Sequence, residues 1–155
     1  MLALLALLLI VSTPGFSHAS GWHVGSRRAE ACPGVAVSRC VQAEAWASTV
    51  RYRDCPDCVP PHRTLARVPP GGIVIQLTDA RERPPYGRRG SWPPELRASD
   101  VIRGPFEGAP ARISMIERVV RSGNGVEHFL DVWFGRARPT ARQLARANAE
   151  LRTVR

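Results

Sequence analysis

The sequence predicts an α+β fold, an antiparallel β-sheet with a C-terminal amphipathic helix packed on one face, from three observations. GGIVIQLTD (71–79) is a short, nearly continuous β-branched run bounded by glycines and polar residues. ARISMIERVVRS (111–122) and VEHFLDVWFG (126–135) are two more β-rich runs, joined by Gly123, Asn124 and Gly125. RPTARQLARANAELRTVR (138–155) repeats its apolar residues at helical period.

In chain order, MLALLALLLIV is apolar without a break, and STPGFSHAS follows with a breaker and small residues. This is the layout of a secretory signal, with Ser17 and Ala19 suited to cleavage after Ala19. The run has 11 residues, whereas a helix that crosses the hydrocarbon of a bilayer needs about 20. Residues 1–19 are therefore read as a signal peptide, and the product as secreted or extracytoplasmic. No Arg or Lys precedes the run, which keeps an uncleaved membrane anchor over residues 2–12 as the alternative.

Residues 20–155 form a single domain, long enough to bury a core. Arg and Lys number 22 against 13 Asp and Glu, and all 22 are arginine, a bias that GC-rich codon usage explains. The formal charge of +9 acts on partners whatever its origin. Outside a cell it points to an anionic envelope polymer or a secreted protein. Export argues against nucleic acid as the partner, and nothing in the sequence sets an oligomeric state.

Residues 20–44 read as irregular. In WASTVRYRD (46–54), Trp46, Val50 and Tyr52 alternate with polar or small residues as in a half-buried strand. Pro60 and Pro61 end it, and HRTLARV (62–68) has room for a short helical turn before Pro69 and Pro70. The run at 71–79 is continuous enough that both of its faces should be covered. Residues 80–110 form a Pro/Arg-rich loop with a short strand near Asp100 to Arg103.

The two runs from 111 to 135 then read as an antiparallel hairpin. On its second strand Val126, His128, Leu130, Val132 and Phe134 share one face, and Glu127, Phe129, Asp131 and Trp133 share the other. In the last segment Thr140 and Gln143 make a capping box, and Leu144, Ala147, Asn148, Leu151 and Val154 line one stripe. Arg142, Arg146, Arg152 and Arg155 fall largely off that stripe.

GGIVIQL, FEGAPARI and FGRARPTARQLARANAELRTVR together resemble uncharacterised small exported proteins of high-GC Gram-positive bacteria. The resemblance covers about half the chain, from Gly71 onward, and implies a compartment and a shape without an activity. The order of strands followed by a closing helix is also similar, in pattern alone, to the PsbP/Mog1-like α+β folds, which host diverse binding roles.

Cys32, Cys40, Cys55 and Cys58 are an even set in an exported chain, so disulfides that tie the irregular N-terminal segment are the first reading. Pairing across the two clusters closes longer loops and is favoured over pairing within them. The alternative is a thiol-disulfide oxidoreductase using Cys55 and Cys58, since CPDC is similar to the active sites of glutaredoxin-like enzymes. Those sites need a helix N-terminus to activate the first thiol, and here Val59, Pro60 and Pro61 follow at once. Asp54 and Asp57 beside the thiols oppose thiolate formation as well. A zinc site on these cysteines and His62 fits poorly, because the gap from Cys32 to Cys40 is wider than ligand pairs use. No metal and no cofactor is expected.

His128 on an apolar strand face reads as a core residue. Glu127 and Asp131 share a face but stand roughly 13 Å apart by strand rise, too far for a paired-carboxylate site, so Asp131 and Trp133 read as a solvated face. The remaining candidates are Arg81, Arg83, Arg88, Arg89 and Arg97, interleaved with Tyr86 and Trp92, where guanidinium forks and aromatic rings suit an anionic ligand. The functional expectation is a non-catalytic exported binding or scaffold domain at the cell envelope.

Overall fold

The β-branched run becomes β3 (Ile73–Ala80), a central strand of a seven-stranded sheet in the computed structural model, which describes residues 15–28, 41–54, 60–80, 88–121 and 127–154. The other strands are β1 (His23–Arg28), β2 (Val41–Ser48), β4 (Arg88–Ser91), β5 (Ile102–Arg103), β6 (Ser114–Arg121) and β7 (Glu127–Phe134). Their order across the sheet is β1-β2-β3-β7-β6-β4, with β5 also pairing β6. Two α-helices, α1 (His62–Leu65) and α2 (Ala141–Leu151), are also described.

The α+β class and the β6–β7 hairpin match expectation, with Ser114 opposite Phe134 and Arg121 opposite Glu127. Three details differ. β4 lies parallel to β6, so the sheet is mixed rather than purely antiparallel. β1 and the start of β2 occupy part of the stretch read as irregular, and 49–54 continues past β2 outside any strand. Short strands such as HVGSRR carry too little apolar alternation to announce themselves, and neighbour pairing decides them.

The sheet's two faces are buried unequally. One face presents Ala45, Ala47, Ile73, Ile75, Leu77, Ile116, Val120, Leu130, Val132 and Phe134 to Ala147 and Leu151 of α2. Burying each large aliphatic here stabilises the fold by roughly 1.5–3 kcal/mol. The opposite face has a smaller apolar cluster of Val74, Met115 and Trp133 under Leu65, Val68 and Ile113. β3 is therefore covered on both sides, as its composition requires.

The Pro/Arg-rich loop is anchored by side chains. Leu96 is buried, and its backbone N–H donates to Asn148 Oδ1 at 2.8 Å while Asn148 Nδ2 donates to the Leu96 carbonyl at 3.1 Å. Arg118 and Asp100 form an ion pair at 2.5 Å that fixes a 3₁₀ turn (Ala98–Asp100) to β6. The strand expected near Asp100 to Arg103 is β5. On the N-terminal side, Phe16 and Trp22 both lie in the larger core cluster. Among the described residues no helix is long and apolar enough to cross a membrane.

Candidate functional site

Local sequence sets the first turn of α2. Thr140 is its N-cap: Gln143 N–H donates to Thr140 Oγ1 at 3.2 Å, and Thr140 N–H donates to Gln143 Oε1 at 3.0 Å, the capping box that the sequence predicts. The buried Gln143 side chain also docks this turn on the sheet, because its Nε2 donates to the carbonyls of Pro70 and Gly72, each at 3.2 Å. Gly135 lets residues 69–72 lie close against the end of β7, since a Cβ there would stand 1.8 Å from the Pro69 carbonyl oxygen.

A cleft of about 300 Å³ opens at this junction, lined by Gly71, Arg136, Thr140, Arg142, Gln143 and Arg146. Three of the six lining residues are arginines and none is acidic, so the cleft's field is positive. Arg136 is tethered by Nε donating to the Pro70 carbonyl at 3.0 Å. Arg146 is tethered by Nη2 donating to the Gly21 carbonyl at 2.8 Å, with its guanidinium 4.9 Å over the Trp22 ring. Arg142 and Arg146 stand one helical turn apart on one face. Guanidinium forks held this way suit carboxylate or phosphate oxygens, and the positive end of the helix dipole adds to them.

The volume is at the lower end of small-ligand sites. By sequence Arg142 and Arg146 fall largely off the apolar stripe of the helix. One signal pointed further: cations in the first turns oppose the helix dipole, and such an arrangement costs stability unless an anion sits there.

The second polar constellation runs across the opposite face of the sheet. Neighbouring strands place Gly25, Trp46, Gln76, Asp131 and Glu117 in one cross-strand row. Beside it, buried Glu44 accepts hydrogen bonds from Arg27 Nε at 2.7 Å, Tyr52 Oη at 2.5 Å and Gln76 Nε2 at 2.8 Å. Arg27 lies 5.0 Å over the Trp46 ring, which stacks on Tyr52 with centroids 4.7 Å apart. Burial, and then the hydrogen bond to Glu44, push the Tyr52 phenol upward.

Asp131 is 7% exposed and Trp133 3%, which corrects the solvated-face reading. The carboxylate opposite Asp131 is Glu117, a cross-strand partner, and not Glu127 on the same strand. Burial first, and Glu117 second, raise Asp131 from the ordinary 3.8 to about 7. Burial raises Glu117 as well. The row is polar, with Gln76 and Asp131 buried at its middle and Gly25, Trp46 and Glu117 half-buried toward its ends.

Of the sequence-selected anion-binding residues, Arg88, Arg89, Trp92 and Arg97 lie among the described residues. Arg81, Arg83 and Tyr86 lie outside the described residues, as do all four cysteines, Cys32, Cys40, Cys55 and Cys58. Arg88 and Arg89 fall on β4, and Arg89 is exposed there. Trp92 is half-buried against the core, and Arg97 pairs with Glu95 at 2.8 Å on the surface. His62 is exposed at the start of α1, and His128 is buried at 6% exposure. Among the described residues no group of three His, Cys, Asp or Glu side chains is placed to hold a metal. Compared with family models, curated proteins and solved structures, the chain matches none.

Proposed function

We propose that the protein is a non-catalytic exported domain that binds an anionic polymer or an acidic protein at the cell envelope, through the arginine-lined cleft at the start of α2. The observation that carries this reading is the convergence of Arg136, Arg142 and Arg146 on one cleft with no acidic lining residue. The secretory layout of the first 19 residues and the charge of +9 support the compartment and the sign of the partner.

The probe is a fluorescent glycerol-phosphate oligomer titrated in low and high salt. Affinity falls at least about tenfold as salt screens the contacts. The Arg142→Ala/Arg146→Ala double variant binds about tenfold or more weakly, as loss of two charge-assisted contacts dictates. Arg51→Ala/Arg103→Ala removes the same charge from exposed positions elsewhere and leaves affinity within about twofold. Equal losses in the two variants, or salt-independent binding, would refute the cleft as the site.

A further inference from the structure

The end of the leader-like stretch is built into the fold. Phe16 is 8% exposed in the same core cluster as Leu151 and Trp22. Ser17 is bound twice to Thr153, just beyond α2: its backbone N–H donates to Thr153 Oγ1 at 3.2 Å, and its Oγ donates to the Thr153 carbonyl at 3.1 Å. Ala19 packs against the core, and its carbonyl accepts the Trp22 N–H at 3.2 Å, closing a turn. Within that turn Gly21 takes φ of +79°, where a side chain would be strained. Arg146 then clamps the segment at the Gly21 carbonyl and the Trp22 ring.

These contacts lie along α2 from Thr153 back to Arg146. Cleavage after Ala19 would remove Phe16 and both Ser17 bonds, leaving a void in the larger core cluster. We infer that residues 15–19 are retained in the native protein as a strap over α2, and that cleavage after Ala19 is not the event that produces the native chain. The inference does not depend on the ligand of the cleft, although the strap's far end holds Arg146, one of the cleft's arginines.

The test expresses the full chain in an exporting host and reads the intact mass and the melting temperature of the purified product. A substitution at position 16 alters the native protein only if that residue stays on it. The mass should place the N-terminus ahead of Phe16. Phe16→Ala should lower the melting temperature by about 10 °C, the scale of a large core truncation in a domain of this size. His18→Ala, at an exposed position of the same segment, should leave it within about 2 °C.

A chain that begins at Ser20, with Phe16→Ala melting like the unaltered protein, overturns the inference. So does a chain that keeps Phe16 but loses no stability on its truncation. If Phe16→Ala yields no folded protein, the mass of the unaltered chain decides by itself.

Discussion

Asp131 is a residue whose surroundings move its titration into the neutral range. Its carboxyl is buried opposite Glu117. The native state therefore holds its proton up to about pH 7, whereas the unfolded chain releases it near the ordinary 3.8. Between those values the native state binds more protons, so stability falls as pH rises through this window and stays low above it. Asp131→Asn keeps the shape of the protonated acid and removes the titration. It should be the more stable protein at pH 8, by about 2 kcal/mol, with the gap closing toward pH 4.5. Urea midpoints at the two pH values check this, and an Asn variant less stable at pH 8 would contradict it. Alternation along VEHFLDVWFG placed Asp131 and Trp133 on one face, but neither the cover over that face nor the partner Glu117 was legible. Both come from other segments of the chain.

At the scale of elements, α2 was the most legible, because its capping box and apolar stripe are local patterns. The structure has both, and adds the docking of Gln143 on the carbonyls of Pro70 and Gly72. Thr140→Ala should cost about 1 kcal/mol, the usual loss for an N-cap side chain, read as a lower thermal midpoint. Gly25 makes the contrasting case in β1. Trp46 lies across it so closely that a Cβ would stand 2.3 Å from the indole Cζ2. Gly25→Val should therefore displace the Trp46–Tyr52 stack and change the near-ultraviolet circular dichroism, while far-ultraviolet strand signal stays close to that of the parent. The alternation in WASTVRYRD predicts a strand, yet after Ser48 the chain leaves the sheet. Tyr52 then turns back over Trp46, and the buried carboxylate of Asp54 accepts from the backbone N–H groups of Arg63 and Thr64 at 3.0 and 2.9 Å. Aromatic and β-branched residues suit such a return as well as they suit a strand, so the pattern alone could not separate the two.

Across the whole molecule, stability should be graded from the centre of the sheet outward. β3 and β7 are flanked by strands on both sides, whereas β1 and β4 end the strand order and β4 is only four residues long. Amide exchange should be slowest in β3 and β7, intermediate in β2 and β6, and fastest in β1 and β4. Protection in β1 equal to that in β3 would show instead that the sheet opens as one unit. The sequence by itself determined the α+β class, the central strand, the hairpin and the closing helix, because each rests on periodicity and turn chemistry within a few consecutive residues. Tertiary structure alone decided the parallel placement of β4, the pairing of Glu117 with Asp131, the gathering of Arg136, Arg142 and Arg146 around one cleft, and the seating of Phe16 in the core. Each of these joins segments far apart in the chain, where burial and cross-strand register, and not local preference, choose the neighbours.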